Sequence, residues 1–157
     1  MKNIIGVLIA IVVCALAGVI GQLFTFPEIT TWYAGLAKPF FNPPNWIFGP
    51  VWTLLYIMMG IAVYLVVRRG FFTPAVEIAV GCFAIQLVLN SLWSIIFFGQ
   101  HQLLLAFVEI IILWAMILLT IIKFRPLSPL ASWLLVPYLC WVSFASILNF
   151  SVWFLNR

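Results

Sequence analysis

The sequence predicts an all-α fold, an integral membrane bundle of five transmembrane helices forming one domain over residues 1–157, and three observations carry that expectation. Apolar residues make up 67% of the chain and charged residues 6%, against about 45–50% and about 25% in soluble domains. Apolar runs fall at residues 4–26, 46–67, 75–98, 103–122 and 130–155, each long enough for the roughly 30 Å hydrocarbon core. Thr73-Pro74 and Ser128-Pro129 each place a hydroxyl at a helix cap with proline in the first turn.

The composition also excludes partners. A net charge of +4 arises from 7 basic and 3 acidic side chains scattered near segment ends, with no run that follows a phosphate backbone, so no nucleic acid is expected. Cys14, Cys82 and Cys140 sit in apolar stretches without ligand spacing. They read as small buried hydrophobes, and no disulfide, metal or resident cofactor is expected.

In the first run, Lys2 and the Ala15-Leu16-Ala17 pattern imitate a secretory leader. The apolar stretch continues past that point to Phe26, and Gly6, Ala10, Cys14 and Gly18 recur every four residues, so the segment reads as a packed span. This ladder and the Ala75, Ala79 pair are alternative dimer seams or contacts within the bundle. Residues 27–45 follow as the one long loop. Trp32, Tyr33, Phe40 and Phe41 make it aromatic and Pro39, Pro43 and Pro44 stiffen it, which suits a lid or an interfacial belt.

Helical spacing puts Phe48, Trp52, Tyr56 and Met59 on one face of the second span, Gln86, Asn90, Trp93 and Phe97 on one face of the third, and Pro137, Trp141, Ala145 and Asn149 on one face of the fifth. Lipid cannot satisfy the amides of Gln86, Asn90 and Asn149, so they are expected to face the bundle. Ala145 and Gly60 are expected to leave space there. Glu109 is the carboxylate in mid-span and needs a partner or a neutralising proton, for instance as an acid donating to a neighbouring helix. His101, in the short turn before the fourth span, reads as an interfacial histidine. Pro137 is expected to bend the fifth span.

Five spans put the termini on opposite sides. Lys2, Arg68, Arg69, Lys123 and Arg125 then fall with the amino terminus and Lys38 and Arg157 opposite, which predicts a cytoplasmic amino terminus in a bacterial cell membrane.

Together these residues resemble the TspO family, also called the translocator protein or peripheral-type benzodiazepine receptor family. The densest match is Trp32-Tyr33, Leu36, Lys38-Pro39, Asn42-Pro43-Pro44, Trp46, Phe48-Gly49, Trp52-Thr53 and Leu55-Tyr56. Gln86, Asn90, Trp93 and Phe97-Phe98-Gly99 extend it, then Ala106 to Glu109, then Pro137-Tyr138-Leu139, Trp141, Phe144-Ala145 and Leu148-Asn149. The resemblance implies a five-helix bundle, often a homodimer, with the first loop as a lid over a cavity for porphyrins or other apolar aromatic small molecules. Carried over by position, the ligand-binding residues are Tyr33, Pro43, Phe48, Trp52, Tyr56, Asn90, Trp93, Trp141, Ala145 and Leu148, with Asn90 orienting the ligand. The pattern departs at residues 148–154, where Phe150 and the lack of a nearby basic residue remove the sterol motif of some members, a weak motif even when complete.

No catalytic triad, metal cluster or phosphate loop is legible, so the leading expectation is a receptor or sensor that binds tetrapyrroles. Two alternatives stay open. One is enzyme-like, light- and oxygen-dependent porphyrin breakdown with Trp52 and Trp141 taking part. The other is a tetrapyrrole or lipid transporter, although no inverted repeat is visible.

Overall fold

The computed structural model describes residues 2–157. Its elements are α1 (Lys2–Ile29), the short α2 (Trp32–Gly35), α3 (Asn45–Val67), α4 (Pro74–Ser94) running into a π-helical turn at Ile95–Gly99, α5 (Leu103–Phe124), α6 (Pro129–Leu134) and α7 (Val136–Leu155). Five helical segments are long and apolar enough to cross a membrane: α1, α3, α4 with its π-turn, α5, and α6 with α7. No strand occurs among the described residues. The chain is a multi-pass integral membrane protein, with a lipid-facing surface of residues such as Leu8, Ile57, Val88 and Ile112.

Around the bundle the order is α1, α3, α6 and α7, α5, α4 and back to α1. Glycines set the closest approaches. A Cβ on Gly60 would stand 2.5 Å from the Ile11 Cα, and one on Gly6 would stand 2.6 Å from the Tyr64 ring. Gly18 lies against Tyr56, and Cys14 is fully buried in the core. The ladder of the first helix is thus used within the bundle. Gly60, expected to leave space in a cavity, instead admits the α1 backbone.

Helix ends depart from expectation in three places. The Ser128 hydroxyl caps α6 by accepting from the Ala131 N–H at 3.3 Å, whereas the Thr73 hydroxyl donates backward to the Gly70 carbonyl at 2.9 Å and caps nothing. Pro137 falls in the first turn of α7, so the fifth span is not bent within one helix but broken at Leu135. Pro27 lies inside α1, which continues to Ile29, and α2 is itself helical, so the long loop predicted at 27–45 shortens to residues 36–44.

At the π-turn, Gln100 N–H bonds the Ile95 carbonyl five residues back at 2.9 Å. The wider turn lets Ile96, Phe97 and Phe98 all be buried in succession, which one face of an α-helix does not allow. Cys140, read as a buried hydrophobe, is exposed on the lipid side, and Cys82 is half-buried.

Candidate functional site

Where α1, α3, α4 and α7 converge below the first loop they enclose a cavity of about 160 Å³. The aromatic stripes form its walls. From α3 come Phe48, Trp52 and Tyr56, from α4 Asn90 and Trp93, and from α7 Trp141, Ala145 and Leu148. Tyr33 of α2 closes the loop end. Of the positions expected in a site, Pro43 alone is not brought to this wall. It lies in the loop, where its carbonyl accepts from Asn42 Nδ2 at 3.2 Å while Asn42 Oδ1 accepts from the Tyr33 hydroxyl at 2.9 Å. Pro43 thus helps hold the partner of Tyr33. The Tyr33 phenol is pushed above its ordinary pKa of 10.0 by burial, so it stays a neutral donor.

The rings interlock across the bundle. Phe48 meets Trp141 edge-on at 5.9 Å, Trp52 stacks on Tyr56 at 5.5 Å, and Trp93 stacks on Phe97 at 5.0 Å. Offset and edge-on aromatic pairs of this kind add about 0.5–1.5 kcal/mol each beyond burial.

Polar groups sort into committed and free. Asn90 Oδ1 accepts from Tyr56 Oη at 2.6 Å, and its Nδ2 donates to Tyr138 Oη at 3.0 Å. Its amide therefore builds the cavity floor, where the sequence suggested an orienting group. The Trp93 indole N–H donates to Asn149 Oδ1 at 3.0 Å, and Asn149 Nδ2 donates to the Leu103 carbonyl at 3.0 Å. Trp52 and Trp141, which line the same cavity, make ring contacts but no hydrogen bond among the described residues. Their indole N–H groups remain uncommitted, as do the side chains of Gln22, Asn45 and Ser94 on the same lining.

One wall went unread in the sequence. Gly18, Gln22, Thr25, Phe26 and Ile29 bring α1 into the cavity. The signal was there: an amide and a hydroxyl three residues apart in an apolar span, on the face shared with Gly18.

The loop end is fastened by contacts that sequence spacing does not reveal. Ala37 N–H donates to Asn156 Oδ1 at 2.9 Å and Asn156 Nδ2 donates back to the Ala37 carbonyl at 2.9 Å. His101, at φ 56°, stacks on Trp32 at 4.1 Å and lies 3.2 Å from Glu28. It has partners, then, and they tie the end of α1 and α2 to the turn before α5. Glu109, expected to need a partner or a neutralising proton, is buried with both oxygens unpartnered among the described residues.

The fold and cavity define a class: a five-helix membrane protein with an aromatic cavity inside the bundle beneath its first loop. The TspO/MBR family model matches residues 10–154. The chain is 47% identical over 155 residues to the tryptophan-rich protein TspO of Chlorobaculum tepidum, covering 99% of this chain and 98% of that protein. It is 42% identical over 135 residues to the translocator protein of Homo sapiens, covering 85% and 80%, and 36% identical over 125 residues to the tryptophan-rich sensory protein of Cereibacter sphaeroides, covering 80% and 77%. The chain belongs to the TspO/MBR family.

Proposed function

We propose that this membrane receptor senses porphyrins and similar flat aromatic molecules by binding them in the bundle cavity, with residues 36–44 as a lid. The observation that carries the reading is the pairing of stacked aromatic walls with two uncommitted indole N–H donors, on Trp52 and Trp141. A tetrapyrrole offers a large π-face to the rings and peripheral acceptors to the donors. The name of the Cereibacter sphaeroides relative, a sensory protein, supports the sensing role.

Volume adds a requirement. About 160 Å³ is below the roughly 300–1,000 Å³ of drug-sized sites, so a tetrapyrrole enters only if the walls part. Residues 36–44, tied to the bundle by the bonds of Tyr33 and Asn156 and by the Phe41–Phe144 ring contact, are the segment that can yield. A homodimer would use an outward apolar face of the bundle, because Gly6 and Gly18 are occupied by α3 and, of the Ala75, Ala79 pair, Ala79 is itself fully buried in the core. Charge sorting favours an amino terminus in the bacterial cytoplasm.

The test is tryptophan-fluorescence titration with protoporphyrin in the dark, on the wild type and Ala145→Phe. Saturable quenching lost in the variant is expected. Quenching that is unsaturable, or indifferent to the substitution, would refute the site. A second reading, photo-oxidative porphyrin breakdown, draws on the same two indoles. Breakdown abolished in Trp52→Phe and Trp141→Phe with binding retained would favour it.

A further inference from the structure

The ligand cavity has a neighbour on the lipid side. Between α3 and α7 runs a groove of about 370 Å³, banked by Leu54 and Met58 on α3 and by Cys140, Trp141 and Phe144 on α7. Trp141 lines both this groove and the cavity within the bundle, so its side chain is the wall they share. Both banks belong to the inner stretches of the spans Asn45–Val67 and Pro129–Leu155, at hydrocarbon depth. Leu54 and Cys140 are exposed there, and every side chain on the groove is hydrophobic. Acyl chains therefore reach it and water does not.

This seam is also closed differently from its neighbours. The backbone of α3 packs closely on α1 and α6, and that of α7 on α5 and α6. Between α3 and α7 the gap is bridged by rings, Phe48 on Trp141 at 5.9 Å and Trp52 on Tyr138 at 6.1 Å. Trp141 is held by its contacts with Phe48 and, at 5.6 Å, with Phe144, and makes no hydrogen bond among the described residues. Turning its indole aside breaks ring contacts alone, whereas lifting residues 36–44 breaks the paired bonds of Ala37 and Asn156.

Size and solubility point the same way. The cavity alone, at about 160 Å³, is smaller than drug-sized sites of roughly 300–1,000 Å³, and joined to the groove it falls within that range. A flat apolar aromatic molecule collects in the bilayer rather than in water, so a way in from lipid spares it a return to the aqueous phase.

We propose, resting on the cavity as the ligand site, that the α3–α7 seam is a lateral port through which a flat aromatic ligand dissolved in the bilayer passes into the cavity, with Trp141 as its gate. The loop then seals the cavity from water while the seam admits ligand from lipid. Obstructing a gate alters neither the free nor the bound state, so it slows entry and exit by the same factor and leaves Kd unchanged.

Stopped-flow tryptophan quenching by protoporphyrin in the dark, on the full chain in lipid nanodiscs, tests this, with dissociation started by excess empty vesicles and an equilibrium titration of each sample. Cys140→Phe narrows the groove from α7 and Leu54→Phe narrows it from α3, both at lipid-facing positions outside the cavity lining. Each should slow association and dissociation together, by roughly tenfold for a crowded passage, with Kd unchanged. Should one variant fail to fold, the other decides. Wild-type rates in a folded groove variant would overturn the port and leave the groove as a resting place for acyl chains, with saturable binding in the cavity still standing. Unsaturable quenching of the wild type at equilibrium would instead overturn the cavity as the ligand site, and the port with it.

Discussion

The Asn90 amide joins two phenols on different helices, accepting from Tyr56 at 2.6 Å and donating to Tyr138 at 3.0 Å. Asn90→Ala removes both partners at once from side chains that are buried. A loss of about 2–3 kcal/mol is expected, since an unmatched buried group costs about 1–3 kcal/mol. Ligand affinity and unfolding midpoint should fall together, in contrast to Trp141→Phe, which breaks no protein hydrogen bond and should lower affinity with little change in midpoint. Titration and thermal unfolding of both variants check this.

Glycine substitutions should separate close packing from mere helix flexibility. Gly60→Ala drives a Cβ into the Ile11 backbone, and overpacking of this kind costs about 1–3 kcal/mol. Gly81 has nothing within 4 Å of the added carbon, so Gly81→Ala should be neutral or stabilise by up to about 1 kcal/mol through helix propensity. Unfolding midpoints in one detergent compare them directly.

Gly18→Ala should act on the cavity itself. The added methyl meets the Tyr56 ring, which stacks on Trp52 at 5.5 Å. The ring must shift toward the lumen, and binding should weaken more than stability does. Titration of Gly18→Ala beside Ala145→Phe measures that difference.

Alkali should loosen the loop while neutral pH variation leaves it intact. The folded-state pKa of Tyr33 is raised above 10.0 by burial, so its hydrogen bond to Asn42 contributes stability that is fully present below that value and lost as the pH rises through the folded pKa. Protection of the amides in residues 36–44, after correction for base-catalysed intrinsic exchange, should therefore fall only above pH 10.0, and Tyr33→Phe should remove that alkaline dependence.

Much of this architecture was legible because lipid imposes simple rules: apolar length marks spans, and an amide such as Asn90 or Asn149 inside one must turn inward. The faces carrying Trp52, Trp93 and Trp141 followed from helical period alone. What escaped depends on backbone proximity. Gly60 looks like spare volume until Ile11 is seen against it, and α1 looked like a packing ladder because Gln22 and Thr25 are short polar signals in a long apolar run. Proline at 27 suggested a boundary, yet only one backbone donor is lost there and α1 carries on for two more residues. Residue 156 gave no sign of its role, since its pairing with Ala37 spans 119 positions.

That pairing bears on how the protein is handled. Asn156 copies a strand of backbone with its side-chain amide, bonding Ala37 in both directions at 2.9 Å. A purification tag, fluorescent fusion or surface tether attached there would pull on the segment over the cavity. Affinities measured with such a handle would report the handle as well as the protein.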